Sequence, residues 1–505
     1  MSGADLPASL GGSSATRESP GHPSGERPPE HEPHGNIGIL AKIALAFTSW
    51  AERWIPDAYV FALVATVLVV LAAVLTGKAS VREVAMIWGG GLWDLLAFTL
   101  QMSLVIITGY VLATSRPVFR AIAWLASLPS SPRAAVAMVA LLAMLSSWLN
   151  WGFSLIFGAM LARETARRVR GLDYRAVAAS AFLGLGSVWA QGLSGSAALQ
   201  MASPASMQKE VRAIVAHGEM IPGGVIPLTS TIFLWQSLVS VVVEIVIVTA
   251  LMYFATPPAE SAKSAADLGV DLGQSPLDAP EPARRGTPGE WLEHSAILPV
   301  VIVALSSAYL VSYFASFDGL AARLNGLNLN TVNLMFLTLG VALHRTPARL
   351  MRAFREATPG VWAVILQFPL YAGIAAIITK THLNETIASW FVAMSSKTTF
   401  PAVIAVYSAV LGVFVPSGGS KWVIEAPYVM QAAHDLQVNL GWMVAVYDLG
   451  EAIANLVQPF WMLPVLGFLG LKSRDVMGFT FLVFLVLTPV VLVIVTVMGA
   501  TLSYP

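Results

Sequence analysis

The chain alternates long apolar runs with short polar connectors. Phe481 to Ala500 is one such run, with no charged residue anywhere from Val476 to Pro505. Tyr59 to Thr76 is another. A helix rises about 1.5 Å per residue, so about 20 apolar residues cross a hydrocarbon core of about 30 Å. The pattern predicts spans at 58–76, 97–115, 176–200, 226–254, 296–317, 324–343, 400–430, 441–467 and 476–500. Two further apolar stretches, 134–162 and 360–379, behave differently. The first is too long for one ordinary span and too short for two. Arg116, Arg120 and Arg133 precede it, and Arg163, Arg167, Arg168, Arg170 and Arg175 follow it. Positive charge marks cytoplasmic flanks, so both ends belong to the same face. Such a segment is a re-entrant hairpin, tolerated where protein or water covers its tip, the alternative being one long tilted helix kinked at Gly152. The expected tip is Trp148 to Gly152, with Asn150 at its centre. The expected fold class is therefore an all-α polytopic membrane protein of about 9–11 membrane helices with two re-entrant hairpins.

Composition agrees. Of 505 residues, 56% are hydrophobic and 11% charged, against about 25% charged in soluble domains. The net charge is zero, which gives no signal for nucleic acid. The absence of cysteine removes disulfides, thiol nucleophiles and cysteine-bound metals. No phosphate-binding loop ending in Gly-Lys-Ser/Thr, no His-Glu-x-x-His pair and no Gly-x-Ser-x-Gly elbow occurs. Those absences argue against an ATP-driven pump, a zinc protease and a serine hydrolase. The reading is a protein that is not an enzyme and takes no cofactor or metal.

Residues 1–38 are rich in Pro, Gly, Ser and charge, and read as a disordered tail without a signal-peptide core. Residues 255–295 are polar and rich in Pro and Ala, and read as a cytoplasmic linker. They divide the chain into a first membrane repeat, 39–254, and a second, 296–505, which includes a terminal helix. The halves echo one another. Ser194-Gly195 and Pro204 recur as Ser417-Gly418 and Pro427, offset by 223. Leu228, Ile232 and Gly152 recur as Leu449, Ile453 and Gly373, offset by 221. Paired repeats with broken helices point to a secondary transporter with its site near the bilayer midplane. The span count gives four crossings between equivalent points, which leaves parallel and inverted repeats both open.

Three segments carry the candidate chemistry. In Val415-Pro416-Ser417-Gly418-Gly419-Ser420-Lys421, proline and paired glycines interrupt a helix. A helix restarting there presents free N–H groups and its positive dipole end. With Ser417, Ser420 and Lys421, it suits a small carboxylate. Glu425 lies one helical turn from Lys421, so the two can pair. The first-half partner is Gln191 to Ser196, offering Ser194, Gly195 and Ser196, with Gln200 just beyond; together with Asn150 and Gly152 it completes the substrate-binding set. Its glycines and serines also suit close helix packing. The third segment is Asp448 to Asn455, then Gln458. Glu451, Asn455 and Gln458 share a helical face. Buried carboxylates are costly and mark ion or proton pathways; the alternative is that one of Asp448 and Glu451 pairs with Lys421 and is purely structural. Two close carboxylates repel, so one takes a proton more readily. Glu425, Asp448, Glu451 and Asn455 are accordingly the coupling candidates. Trp151, Trp189, Trp235, Trp422 and Trp461 lie near these segments, most of them expected at membrane interfaces. Glu244, alone in its apolar run, receives no role.

At Asn150 to Arg163, Met201-Ala202-Ser203-Pro204, Pro416 to Pro427 and Gly450 to Trp461, the chain resembles the AtoE-type short-chain fatty acid transporter family, over roughly residues 40–500. The resemblance implies inverted repeats with paired hairpins. It also implies a bacterial inner-membrane carrier that takes up small monocarboxylates such as butyrate or acetoacetate, coupled to a proton or sodium ion. A homodimer follows by analogy with elevator carriers. The competing readings are a carrier of another organic anion, such as a dicarboxylate or aromatic acid, and a channel or non-transporting scaffold. One buried lysine is little positive charge for a dicarboxylate.

Overall fold

The computed structural model describes residues 58–505, apart from 94–95, 203–208, 217–223, 274–285, 320–321, 324–328, 384–388, 390–392 and 415–417, together with scattered positions in 39–53. The tail assigned to 1–38 lies outside these residues, as do Ser203, Pro204 and Ser417. All regular elements among the described residues are helical. The first half contains α1 (Ala58–Leu75), α2 (Val81–Gly91), α3 (Leu96–Thr114), α4 (Arg116–Leu125), α5 (Pro132–Leu149), α6 (Trp151–Arg168), α7 (Tyr174–Phe182), α8 (Ser196–Met201), α9 (Lys209–Ala216) and α10 (Trp235–Ala255). The linker carries α11 (Pro288–His294). The second half contains α12 (Ile297–Ala315), α13 (Leu329–His344), α14 (Pro347–Ala357), α15 (Trp362–Lys380), α16 (Phe400–Phe414), α17 (Gly418–Asp435), α18 (Leu440–Ala454), α19 (Met462–Leu469) and α20 (Ser473–Gly499).

Four helices among the described residues, α5, α10, α12 and α20, are long and apolar enough to cross a bilayer. The number rises to six if the bent pairs Thr99–Thr114 with Arg116–Leu125 and Pro347–Val361 with Ile365–Ile378 each form one span. The apolar window of α12 is only 6% buried. Val300, Val301, Ile302 and Leu305 on it are at least half exposed. A contiguous apolar face of that kind fits hydrocarbon rather than water.

Local chemistry sets the breaks. Ser80 and Glu83 form a capping box that starts α2. Ser131 and Pro132 start α5. Asn150 ends α5 in extended backbone and caps α6 by accepting from the Phe153 N–H at 2.9 Å. There the chain folds back: Ser154 Oγ donates to Ala143 O, eleven residues earlier, at 2.7 Å. The first expected hairpin thus turns at Asn150. Its arms run to Pro132 and Arg168, longer than 134–162, because the helix continues through the arginines that flank the apolar run.

The second turn is not at Gly373. That residue sits inside α15, which runs unbroken past Pro369. The 42° bend lies upstream, between Val361 and Ile365. Gly373 answers a packing need instead: a Cβ there would lie 2.6 Å from the Trp88 ring. The offset of 223 does recur as structure. Gly195 caps the start of α8, and Gly418 opens α17. The offset of 221 joins unlike places, since Leu228 lies in a short 3-10 turn and Leu449 lies within α18.

The halves interleave. α3 packs on α13, α15 packs on α1 and α2, and α10 packs on α20. α18 is buried along its whole length and packs most extensively on α16. Gly450 permits that approach, because a Cβ there would lie 2.3 Å from the Ala405 carbonyl oxygen. Backbone cannot retreat as a flexible side chain can. Gly450→Ala is therefore expected to cost about 3 kcal/mol and to lower the detergent-solubilised melting temperature by several degrees. A melting curve within one degree of wild type would contradict the packing argument.

Candidate functional site

Two acids project from buried α18, and each holds a different broken element. Asp448 is fully buried, and its Oδ2 accepts from the Ala197 N–H at the start of α8 at 3.2 Å. Glu451 is equally buried and forms an ion pair with Lys421 in the first turn of α17. Carboxylates at helix starts suit both the free N–H groups and the dipole.

Lys421 is 2% exposed, and its ammonium is fully engaged. Besides Glu451, Nζ donates to Ser408 O at 2.7 Å and to Ser408 Oγ at 3.2 Å. The Tyr447 ring lies beneath it, 5.0 Å from Nζ to the centroid. Sequence spacing favoured Glu425 as the ion partner, but the ion pair is made with Glu451. The reason is that α16 and α18 together supply a carboxylate, a carbonyl, a hydroxyl and an aromatic face on one side of Lys421. A single acid along its own helix cannot match that set. Glu425 stays buried, and its Oε2 has no hydrogen-bond partner. The described core here holds one lysine and three carboxyl groups, in Glu425, Asp448 and Glu451.

The broken elements meet one another. Gln200 of α8 donates to the Gly419 carbonyl at 2.8 Å, and the Tyr447 hydroxyl donates to the Gly418 carbonyl at 3.1 Å. A Cβ on Gly419 would lie 3.5 Å from Ser196 Cβ, and one on Gly418 would lie 3.0 Å from the Trp189 ring. Ser196, Gly418, Gly419 and Lys421 are thus brought together from both halves. Ser420 follows on the first turn of α17. Trp189 Nε1, Gln191 Oε1, Gln200 Oε1, Asp448 Oδ1 and Glu425 Oε2 are all buried without a hydrogen-bond partner. Folded proteins leave few such atoms, so this concentration makes the place the candidate site for a polar ligand.

Other candidates serve the frame. Ser194 Oγ accepts from the Trp151 N–H at 3.1 Å, tying the hairpin tip to the unwound loop. Gly152 is buried in the first turn of α6. Asn455 donates to Leu185 O at 3.1 Å and accepts from Gln458 at 2.6 Å, while Gln458 accepts from the Phe460 N–H at 2.7 Å. That chain fixes the break between α18 and α19 to the first half and spends both ends of the Asn455 amide. Asn150, whose side-chain oxygen caps α6, has a matching expected outcome. Asn150→Ala should lower stability by about 1 kcal/mol, while Asn150→Ser, which keeps a cap, should recover most of it. Equal losses in the two variants, measured by thermal unfolding, would contradict the capping role.

Four of the five tryptophans are buried inside the protein rather than exposed on its surface. Trp151, Trp189, Trp422 and Trp461 are at most 8% exposed, and Trp235 alone of the five is exposed. Trp151 meets Trp461 edge-on at 5.1 Å and Trp189 at 6.5 Å, forming an aromatic wall beside the hairpin tip. Glu244 is also buried. It accepts from Gln191 at 2.5 Å and from Ser240 at 2.8 Å, linking α10 to the Val188–Gln191 turn. A lone acid in an apolar run either snorkels or faces a neighbouring element, and here it faces one, with Ser240 one turn away on the same helix as its polar companion.

Apolar helices of bilayer length around a buried, charged core of broken helices define an integral membrane protein. The family model described as short chain fatty acid transporter matches residues 39–498. A relative from Escherichia coli (strain K12), named for short-chain fatty acid transport, is 37% identical over 449 residues, covering 87% of this chain and 96% of its own. One from Haemophilus influenzae, named likewise, is 33% identical over 466 residues, covering 90% and 99%. The solved YdaH transporter of Alcanivorax borkumensis is similar at a TM-score of 0.46 and 16% identity, over 88% of this chain and 98% of that one. The chain belongs to the short-chain fatty acid transporter family.

Proposed function

We propose that this protein is a secondary carrier for short-chain monocarboxylates in a bacterial cytoplasmic membrane, driven by proton co-transport. The observation that carries the reading is the buried Lys421–Glu451 pair placed where the two broken elements meet. A proton on Glu451 removes its charge and leaves Lys421 without its ion-pair partner. A substrate carboxylate then takes that place, so substrate and proton enter together and the buried charge stays balanced. Neutral donors at Ser196, Gly418, Gly419 and Ser420 would orient the carboxylate. Trp189 would wall the short alkyl chain. One lysine balances one carboxylate, which favours monocarboxylates over dicarboxylates. Asp448 and Glu425 are further proton acceptors on the same cluster.

The test is uptake of labelled butyrate and acetoacetate into proteoliposomes, corrected for protein-free vesicles because the neutral acids permeate lipid. Saturable uptake driven by an inward proton gradient is expected. Uptake that follows a sodium gradient alone would replace the proton, and no protein-dependent uptake of any C3–C6 carboxylate would end the proposal. Non-saturable flux that never accumulates substrate against its gradient would favour a channel.

A further inference from the structure

The basic flanks that mark topology in the sequence converge in space. A cavity of about 570 Å³ is lined by Arg116 and Arg120 of α4, Arg163 and Arg167 of α6, Arg345 before α14, and Arg349 and Arg352 on α14. Glu356 is the acid in the lining, and Glu164 ion-pairs with Arg167 from outside it. Among the described residues, with both acids counted, arginines of the wall outnumber acids by five. The asymmetry is large in a chain whose net charge is zero.

The wall is built rather than merely basic. Arg163 donates to Phe468 O at 2.9 Å, to Leu272 O at 2.9 Å and to Asp271 O at 3.1 Å. Carbonyls fix the guanidinium without neutralising it. Tyr110 stacks on Phe468 at 4.8 Å, and its hydroxyl donates to Glu356 at 3.1 Å. Arg345 holds φ at +64°, a backbone region that favours glycine. The positive-inside rule accounts for arginines on the cytoplasmic side. It does not account for three separate chain segments placing theirs around one concavity. Guanidinium groups match phosphate oxygens in a bidentate fork, and a concave basic wall focuses the field on such an anion. A monocarboxylate has too little charge for this surplus.

We propose that this cavity binds a phosphate-bearing anion, supplied by an acidic lipid headgroup or by a soluble phosphate compound, at a site separate from Lys421. Basic pockets between membrane helices are known to suit such headgroups. The test uses the full-length protein in uncharged detergent and in phosphatidylcholine nanodiscs. Thermal unfolding is followed with pyrophosphate, with chloride at matched ionic strength, and with added phosphatidylglycerol or cardiolipin. Stabilisation by pyrophosphate or by acidic lipid beyond the chloride control is expected. Lipid alone, soluble phosphate alone, or both would each support the site and identify its source. Arg349→Gln with Arg352→Gln should weaken binding at least tenfold. Arg133→Gln with Arg170→Gln, outside the lining, should not change it. Should the first pair unfold the protein, Arg349→Lys with Arg352→Lys keeps the charge and is expected to weaken binding severalfold. No stabilisation beyond chloride, or equal losses from lining and outside pairs, would overturn the proposal.

Discussion

Glu451→Gln is expected to stop net uptake while sparing exchange. With glutamine at 451, Lys421 loses its ion-pair partner unless substrate is bound. The loaded carrier restores that pair, and the empty one leaves it broken. Removing one partner of a buried pair costs about 3–5 kcal/mol. Even the lower figure slows return of the empty carrier by roughly a hundredfold. Exchange of external labelled butyrate for internal unlabelled butyrate never requires the empty form, and should stay within a few-fold of wild type. Its independence of a proton gradient is a second expected sign. Net uptake at the wild-type rate, still driven by the gradient, would show that Glu451 is not the proton's seat.

Lys421→Met is expected to abolish both modes, by at least about a hundredfold. It removes the charge that the substrate carboxylate would balance, and it leaves Glu451 buried without a cation. The variant should therefore also melt lower. Adding Glu451→Gln removes the orphaned acid, so the double variant should recover stability without recovering exchange, the mode that Glu451→Gln alone leaves intact. That split separates a binding role from a merely structural one. A lysine that only held α17 against α18 would let the repaired double variant exchange again. Transport within threefold of wild type in Lys421→Met would also refute the assignment.

Much of this was legible from the order of residues. The break at Asn150, the loop at Ser194 and the restart of a helix at Gly418 follow from local chemistry, in proline, paired glycines and capping side chains. The burial of Asp448 and Glu451 follows from the apolar run around them. Which partner is chosen in space was not legible. Lys421 has an acid one turn away in Glu425, yet it pairs with Glu451, because Ser408 and Tyr447 arrive from neighbouring helices to complete its shell. The same holds for Gly373, whose smallness serves Trp88 rather than a turn. Four tryptophans read as interface anchors because indoles favour that place, but tertiary packing put them in the interior. Ser194 and Asn455 were of the right type to bind a ligand, and spend their hydrogen bonds on the frame.

The proposed exchange of carboxylates at Lys421 can be tested directly. Difference infrared spectra of the reconstituted protein, taken on adding carbon-13-labelled butyrate, separate the substrate's bands from those of the side chains. Butyrate should bring up the band of a newly protonated carboxyl group, and that band should be missing in Glu451→Gln, which still binds. Saturable binding with no such band, or a band unchanged in Glu451→Gln, would contradict a carrier in which the substrate displaces Glu451 from Lys421.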